Sequence, residues 1–173
     1  MPLKGSDHPE DIERVTKEMA GRYVEDPRTI ILCVIQANQD ISTSDALQMA
    51  RFLDRDGERT LGVITKIDLM DSGTSAIKML SNEEIPLRYG YVGIKGRSQA
   101  DIKSGMSIKK GLELEQEYFQ KNEKYKDMVN AHKILGTKAL VNKLTLVLNK
   151  HIKRNLPNII AEIREKVLEC EAR

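Results

Sequence analysis

The residues best equipped for chemistry are Thr65-Lys66-Ile67-Asp68, which follow the apolar run Gly62-Val63-Ile64. That run reads as a strand, and in α/β sheets ligands gather at the carboxyl ends of strands. The chemistry that fits is recognition of a guanine ring. Guanine presents N1–H and an exocyclic N2–H side by side, so one fixed carboxylate, Asp68, accepts both. Adenine lacks that pair of donors and leaves the acid unpaired, a mismatch worth roughly several kcal/mol in a partly dry slot. Lys66 is expected to lay its methylene stem along the purine and keep its ammonium near the ribose. The competing reading of the tetrapeptide is an exposed loop that carries an Asp–Lys pair.

A second polar loop, Gly96-Arg97-Ser98-Gln99, follows the run Tyr89–Ile94 about thirty residues later, one βαβ unit on. Small residues there let backbone N–H groups approach a carbonyl such as guanine O6, and Arg97 can stack on a base or ribose. Alone, this loop equally describes an ordinary strand-to-helix turn with Ser98 as the helix cap. Two consecutive strand ends bearing these two loops form a more specific pattern than either does alone.

The elements that must hold the loops are legible in the hydropathy. Thr29–Gln36 is a continuous, β-branched-rich run, the pattern of a strand buried on both faces. Thr60–Thr65 and Tyr89–Ile94 are shorter strands. Helices fit Pro9–Val24, a segment capped by Thr43 or Ser44 with Ala46, Ala50 and Leu53 on one face, and Thr74–Leu80. Further on, Ser107–Lys121 puts Ile108, Leu112, Glu115 and Phe119 on one face. Thr137 is expected to cap a helix with Leu140, Leu144, Val147 and His151 or Ile152 in line. Pro157 interrupts that pattern, and Leu156, Ile160, Ile163 and Val167 begin a new stripe. Strands alternating with helices predict a parallel α/β sheet, here with three strands. A parallel sheet that small suggests an incomplete domain.

Composition narrows the function classes. Lys+Arg 28 against Asp+Glu 26 gives a net charge of +2, which makes no case for nucleic acid or an anionic surface. The two cysteines, Cys33 and Cys170, suggest reduced thiols rather than a disulfide framework. His8, His132 and His151 lie far apart with no cysteine companions, so no metal site is expected. With no signal pattern and no membrane-length apolar stretch, the chain is expected to be soluble and cytoplasmic.

Taken in order, Ala37–Leu47 (ANQDISTSDAL), Arg59–Thr74 (RTLGVITKIDLMDSGT) and Pro86–Ile102 (PLRYGYVGIKGRSQADI) closely resemble the dynamin family of large GTPases. His8–Glu13 (HPEDIE) and Asn155–Val167 (NLPNIIAEIREKV) resemble it too. The resemblance implies that Thr65, Lys66, Asp68, Leu69 and Asp71 surround the guanine of GTP, with Gly96, Arg97, Ser98 and Gln99 completing the pocket. It places Asp40 where relatives carry an acid that reaches towards a partner subunit's nucleotide; the alternative is a loop carboxylate near a helix start. It makes Leu156-Pro157 a hinge between the last GTPase helix and a bundle-signalling helix, although Pro157 also suits a first helical position. The expected division is therefore 1–155, the C-terminal half of a GTPase domain, and 156–173, the start of the bundle helix. One departure is Gly96, where the family commonly has Asn.

The sequence contains no GxxxxGK[ST] loop for phosphates and, ahead of the first strand, no DxxG segment to sense the γ-phosphate. Met1 is accordingly expected to fall partway through a longer coding region. No catalytic residue is assigned in this chain, and the ligands of the Mg2+ that such a parent uses are expected upstream. The expected fold is an incomplete P-loop-type G domain with a long C-terminal helix bent at Pro157. The expected function is the guanine-recognising half of a GTPase that self-assembles and remodels or severs membranes, contacting the membrane through parts outside this chain. The alternative is a catalytically silent assembly module.

Overall fold

A computed structural model describes residues 11–71, 73–131 and 133–172. Met1, His8, Pro9, Glu10 and His132 lie outside the described residues, so the expected start of the first helix and two of the three histidines are not placed.

Three parallel strands, β1 (Ile31–Gln36), β2 (Thr60–Thr65) and β3 (Tyr91–Gly93), lie in the order β1-β2-β3. The register pairs Ile31 with Thr60, Gln36 with Thr65, and Ile64 with Gly93. Because all three run the same way, the segments after Gln36, Thr65 and Gly93 leave the sheet at one edge. β2, the central strand, is buried from Thr60 through Ile64. β1 is not buried on both faces as its composition suggested. Ile31, Cys33 and Ile35 point into the core, whereas Leu32 and Val34 are 43% and 52% exposed. A continuous apolar run signals two faces in need of cover, and here the described chain covers one of them.

Gly62 shows how closely the strands are packed. A Cβ there would stand 2.0 Å from Tyr91 Cδ1, so only glycine lets the ring lie flat across β2. Tyr91 is 2% exposed and donates its hydroxyl to the Ile85 carbonyl at 2.8 Å.

Helices pack around this sheet. Helix α1 (Ile12–Val24) has no buried residue. Ser44, one of the two expected caps, accepts the Leu47 N–H at the start of α2 (Asp45–Leu53). The buried face of α2 is Leu47 and Ala50, with Leu53 half-buried; Ala46 is exposed, one position off the expected face. The buried Asp54 ends α2 by accepting the Glu58 and Arg59 N–H groups and the Thr60 hydroxyl, which turns the chain directly into β2. Helix α3 is a single turn (Ile77–Leu80), shorter than Thr74–Leu80.

Ser98 caps α4 (Gln99–Lys103) and Ser107 caps α5 (Ile108–Lys121). Only Glu115 and Phe119 of the expected α5 face are buried, while Ile108 and Leu112 are exposed. A short helix, α6 (Lys126–Ala131), was not expected; Tyr125 just before it packs edge-on against Phe119 at 6.1 Å. The core joins Ile35, Ile64 and Ile67 of the sheet side to Leu80, Phe119 and Tyr125.

Helix α7 runs from Thr137 to Glu171, about 50 Å long. Its cap is Gly136 at φ 93°, not Thr137, whose donors are taken by Glu115 instead. The helix is continuous across residues 155 and 156, with Pro157 inside it. Proline has no N–H to offer the Lys153 carbonyl, which leaves a local weak point in the ladder. On either side of it α7 is tied back to the sheet domain. His151 Nε2–H donates to the Arg28 carbonyl (2.7 Å), Arg154 reaches Glu58 (2.8 Å), and Arg28 reaches Glu162 (3.3 Å).

Candidate functional site

The TKID segment turns sharply off the end of β2. Thr65 Oγ1 donates to the Ile35 carbonyl at 3.0 Å, fastening the strand ends together. Lys66 then adopts the left-handed conformation, φ 56° and ψ 35°. Such a geometry costs a non-glycine residue on the order of 1–2 kcal/mol, and strain of this kind collects at working sites. It is sustained by Ile67, which is 1% exposed and anchored in the core as the first residue of a 3-10 turn, Ile67–Leu69. The turn leaves Asp68 at the edge, its side chain 25% exposed and its Oδ2 4.0 Å from Lys95 Nζ. Among the described residues that carboxylate accepts no hydrogen bond closer than this ion pair, so its oxygens remain available to a ligand's donors. Leu69 is exposed, and Asp71 is exposed with its carbonyl turned to Thr74. Lys66 Nζ donates to Gln36 Oε1 at 2.9 Å, so its stem lies across the carboxyl edge between β1 and β2.

The second loop leaves β3 beside the first. Ile94 N–H still pairs with the Ile64 carbonyl at 2.8 Å, and Lys95 N–H donates to Glu115 Oε1 at 2.9 Å. A Cβ at Gly96 would meet nothing within 4 Å, and its backbone is not in the left-handed region. The position therefore has room for a side chain, and the glycine is not forced by packing. Arg97 does not point freely outward. Its Nη1 donates to the Met106 carbonyl at 2.7 Å, and its stem lies against Gly111, where a Cβ would stand 2.7 Å from Cγ. Ser98 is engaged in a capping box: its Oγ accepts the Asp101 N–H (3.1 Å) and its own N–H donates to Asp101 Oδ2 (2.8 Å). The Ser98 N–H, first among the causes, holds the Asp101 carboxyl below the usual range. Gln99 is exposed at the first helical position.

Asp40 sits on the same edge, after β1. Its Oδ1 accepts the Ser42 hydroxyl (2.7 Å) and N–H (2.9 Å), in that order the causes of its lowered pKa. It caps the 3-10 turn Ile41–Thr43 and borders a cavity of about 420 Å³ that also touches Val34 and Gln39. A cavity of about 370 Å³ lies elsewhere, between Arg51, Arg55 and Pro86. Neither is lined by residues 65–71 or 96–99.

Lys95, Glu115, Tyr118 and Gln36 were not assigned to the site by sequence reasoning. Lys95 Nζ stands 5.8 Å from the Tyr118 ring centroid as well as near Asp68. Tyr118's hydroxyl pKa is raised by burial first, then by the charges of Tyr125 and Asp68. The one available signal was Glu115, an acid set within an apolar stripe.

A parallel sheet with polar loops collected at its carboxyl edge is the architecture of nucleotide-binding α/β proteins. Comparison with known families sharpens the class. The Dynamin central region matches residues 75–173, and the Dynamin family profile matches residues 5–67. The chain belongs to the dynamin family. It is 43% identical over 166 residues to Dynamin-B of Dictyostelium discoideum, covering 96% of this chain and 18% of that protein. It is 45% identical over 157 residues to Dynamin-related protein 3B of Arabidopsis thaliana, covering 91% and 20%. Dynamin-2 of Rattus norvegicus is 39% identical over 165 residues, covering 95% and 19%. The chain thus spans about a fifth of the length of the curated relatives it matches. Asp68 falls in the short interval between the two matched ranges.

Proposed function

We propose that this chain is the guanine-reading portion of a dynamin-like GTPase that binds and hydrolyses GTP, self-assembles and remodels or severs membranes. The observation that carries the nucleotide reading is the strained turn at Lys66, which sets the accessible Asp68 carboxylate beside the Gly96–Gln99 loop at a parallel sheet edge. Asp68 would accept guanine N1–H and N2–H, Lys66 would cover the purine, and backbone N–H groups near Gly96 would face O6. Thr65 and Arg97 keep the two loops in place through the Ile35 and Met106 carbonyls. Leu69 and Asp71 would flank the base, and Ser98 and Gln99 would close the second loop.

Magnesium and the phosphates would be held by upstream segments of the parent protein, where the chemical step takes place. Asp40, ordered by Ser42, would contact the nucleotide site of a facing subunit. Pro157, at the weak point of α7, would serve as the hinge towards the bundle. Membrane contact would come from other parts of the parent, which would be cytoplasmic and peripheral; among the described residues no helix is long and apolar enough to cross a membrane.

The test uses the full-length protein that contains this chain. GTP, and not ATP, should displace labelled GDP, and phosphate release from GTP should rise when assembly is induced on anionic liposomes. Equal competition by ATP would overturn the base assignment. GTP binding without phosphate release would point to the silent assembly module.

A further inference from the structure

We propose that Glu115 is a positioning residue for base recognition and that it links the second base loop to the start of α7. The proposal rests on the guanine reading above. Glu115 is 3% exposed, in the middle of α5, and it is the buried acid nearest the candidate site. Its two oxygens collect three donors from two distant segments. Oε1 accepts the Lys95 N–H (2.9 Å) and the Thr137 hydroxyl (3.2 Å), and Oε2 accepts the Thr137 N–H (2.8 Å).

The location gives those bonds their consequence. The β3 ladder ends at Ile94, so Glu115 supplies the next partner and holds the loop where the sheet no longer can. Gly93 meanwhile exchanges backbone bonds with the segment before α7: its N–H donates to the Ile134 carbonyl (2.9 Å), and its carbonyl accepts the Gly136 N–H (2.8 Å). The end of β3, the base loop and the first turn of α7 are therefore fastened around one carboxylate. Tyr118, one helical turn from Glu115, faces the Lys95 ammonium, and that ammonium is the ionic partner of Asp68. Glu115 thus fixes Lys95 by its backbone, and the Lys95 ammonium stands 4.0 Å from the acid proposed to read the base. No part of this chain of contacts requires Glu115 to touch the nucleotide.

Replacing Glu115 by Gln keeps size and shape but puts an NH2 group against an N–H. In one orientation it faces Lys95 N–H and releases the loop directly; in the other it faces Thr137 N–H, and the side chain that holds Lys95 loses its anchor on α7 and slackens its grip on the loop. The readout is discrimination between GTP and inosine triphosphate, which lacks the exocyclic N2–H that Asp68 would accept. In the full-length protein, Glu115→Gln should lower the ratio of the two kcat/KM values about tenfold. The loss should appear mainly as a higher KM for GTP, with kcat within about twofold. A role confined to stability would lower the melting temperature and the active fraction but leave that ratio unchanged, and an unchanged ratio in folded variant overturns the proposal.

If the variant does not fold, hydrogen exchange of the wild-type protein with and without GDP decides. Protection should rise together in peptides covering residues 94–98 and 135–140, and a rise confined to the first would overturn the link. The Asp68→Asn variant separates the two levels. If it shifts base preference while Glu115→Gln leaves discrimination intact, only this proposal fails; if neither changes base choice, the guanine reading fails with it.

Discussion

At the scale of single residues, the candidate site depends on a lysine held where lysine is uncomfortable. Lys66 turns left-handed because Thr65 is fastened to β1 and Ile67 must reach the core, leaving one residue to absorb the change in direction. Lys66→Gly should therefore leave stability unchanged or raise it by up to about 1 kcal/mol, since glycine takes that conformation without steric cost. The same change should weaken nucleotide binding in the full-length protein if, as proposed, the Lys66 stem covers the purine. Urea unfolding of the chain and nucleotide titration of the parent check the two halves. A clear drop in stability would mean that the Lys66–Gln36 bond outweighs the strain. That Thr65-Lys66-Ile67-Asp68 turns off the end of a strand was legible in the sequence, because the segment follows an apolar run. The approach of Lys95 to Asp68 was not, since the Lys95 backbone is held by Glu115, twenty residues away and on another element.

At the scale of elements, the three strands and their parallel order followed from the spacing of apolar runs, and Ser44, Ser98 and Ser107 all cap as their types suggest. Misreadings came where composition says less than packing. The β1 run carries no mark of which face is covered, and α6 is too short to show a periodic stripe. Thr137 suits a cap by residue type, whereas Gly136, at φ 93°, takes that place and frees Thr137 to bind Glu115. The tightest sheet contact yields a direct prediction. Gly62→Ala forces its methyl into the Tyr91 ring, and that ring is buried and bonded to Ile85, so it cannot swing aside cheaply. The expected loss is about 1–3 kcal/mol in a urea unfolding experiment. A variant as stable as the parent chain would show that β2 and β3 sit further apart than described.

At the scale of the whole molecule, the chain presents unpartnered apolar surface. Leu32 and Val34 on β1 are exposed, as are Leu156, Ile160, Ile163 and Val167 along α7, at 46%, 42%, 56% and 49%. Burial of such side chains contributes roughly 1.5–3 kcal/mol each, and an edge strand is a template for pairing. The 173-residue chain by itself should therefore associate with rising concentration in light scattering coupled to size exclusion. A monomer at every concentration would show that these faces are covered within the chain. The proposed reading of guanine by Asp68 is tested by base exchange. In the full-length protein, Asp68→Asn exchanges a carboxylate for an amide that offers a donor, suited to the carbonyl that xanthine carries in place of guanine's amine. Competition between GTP and xanthosine triphosphate should move from a strong preference for GTP in the wild type to a preference for xanthosine triphosphate in the variant. The same GTP preference in both proteins would contradict the assignment.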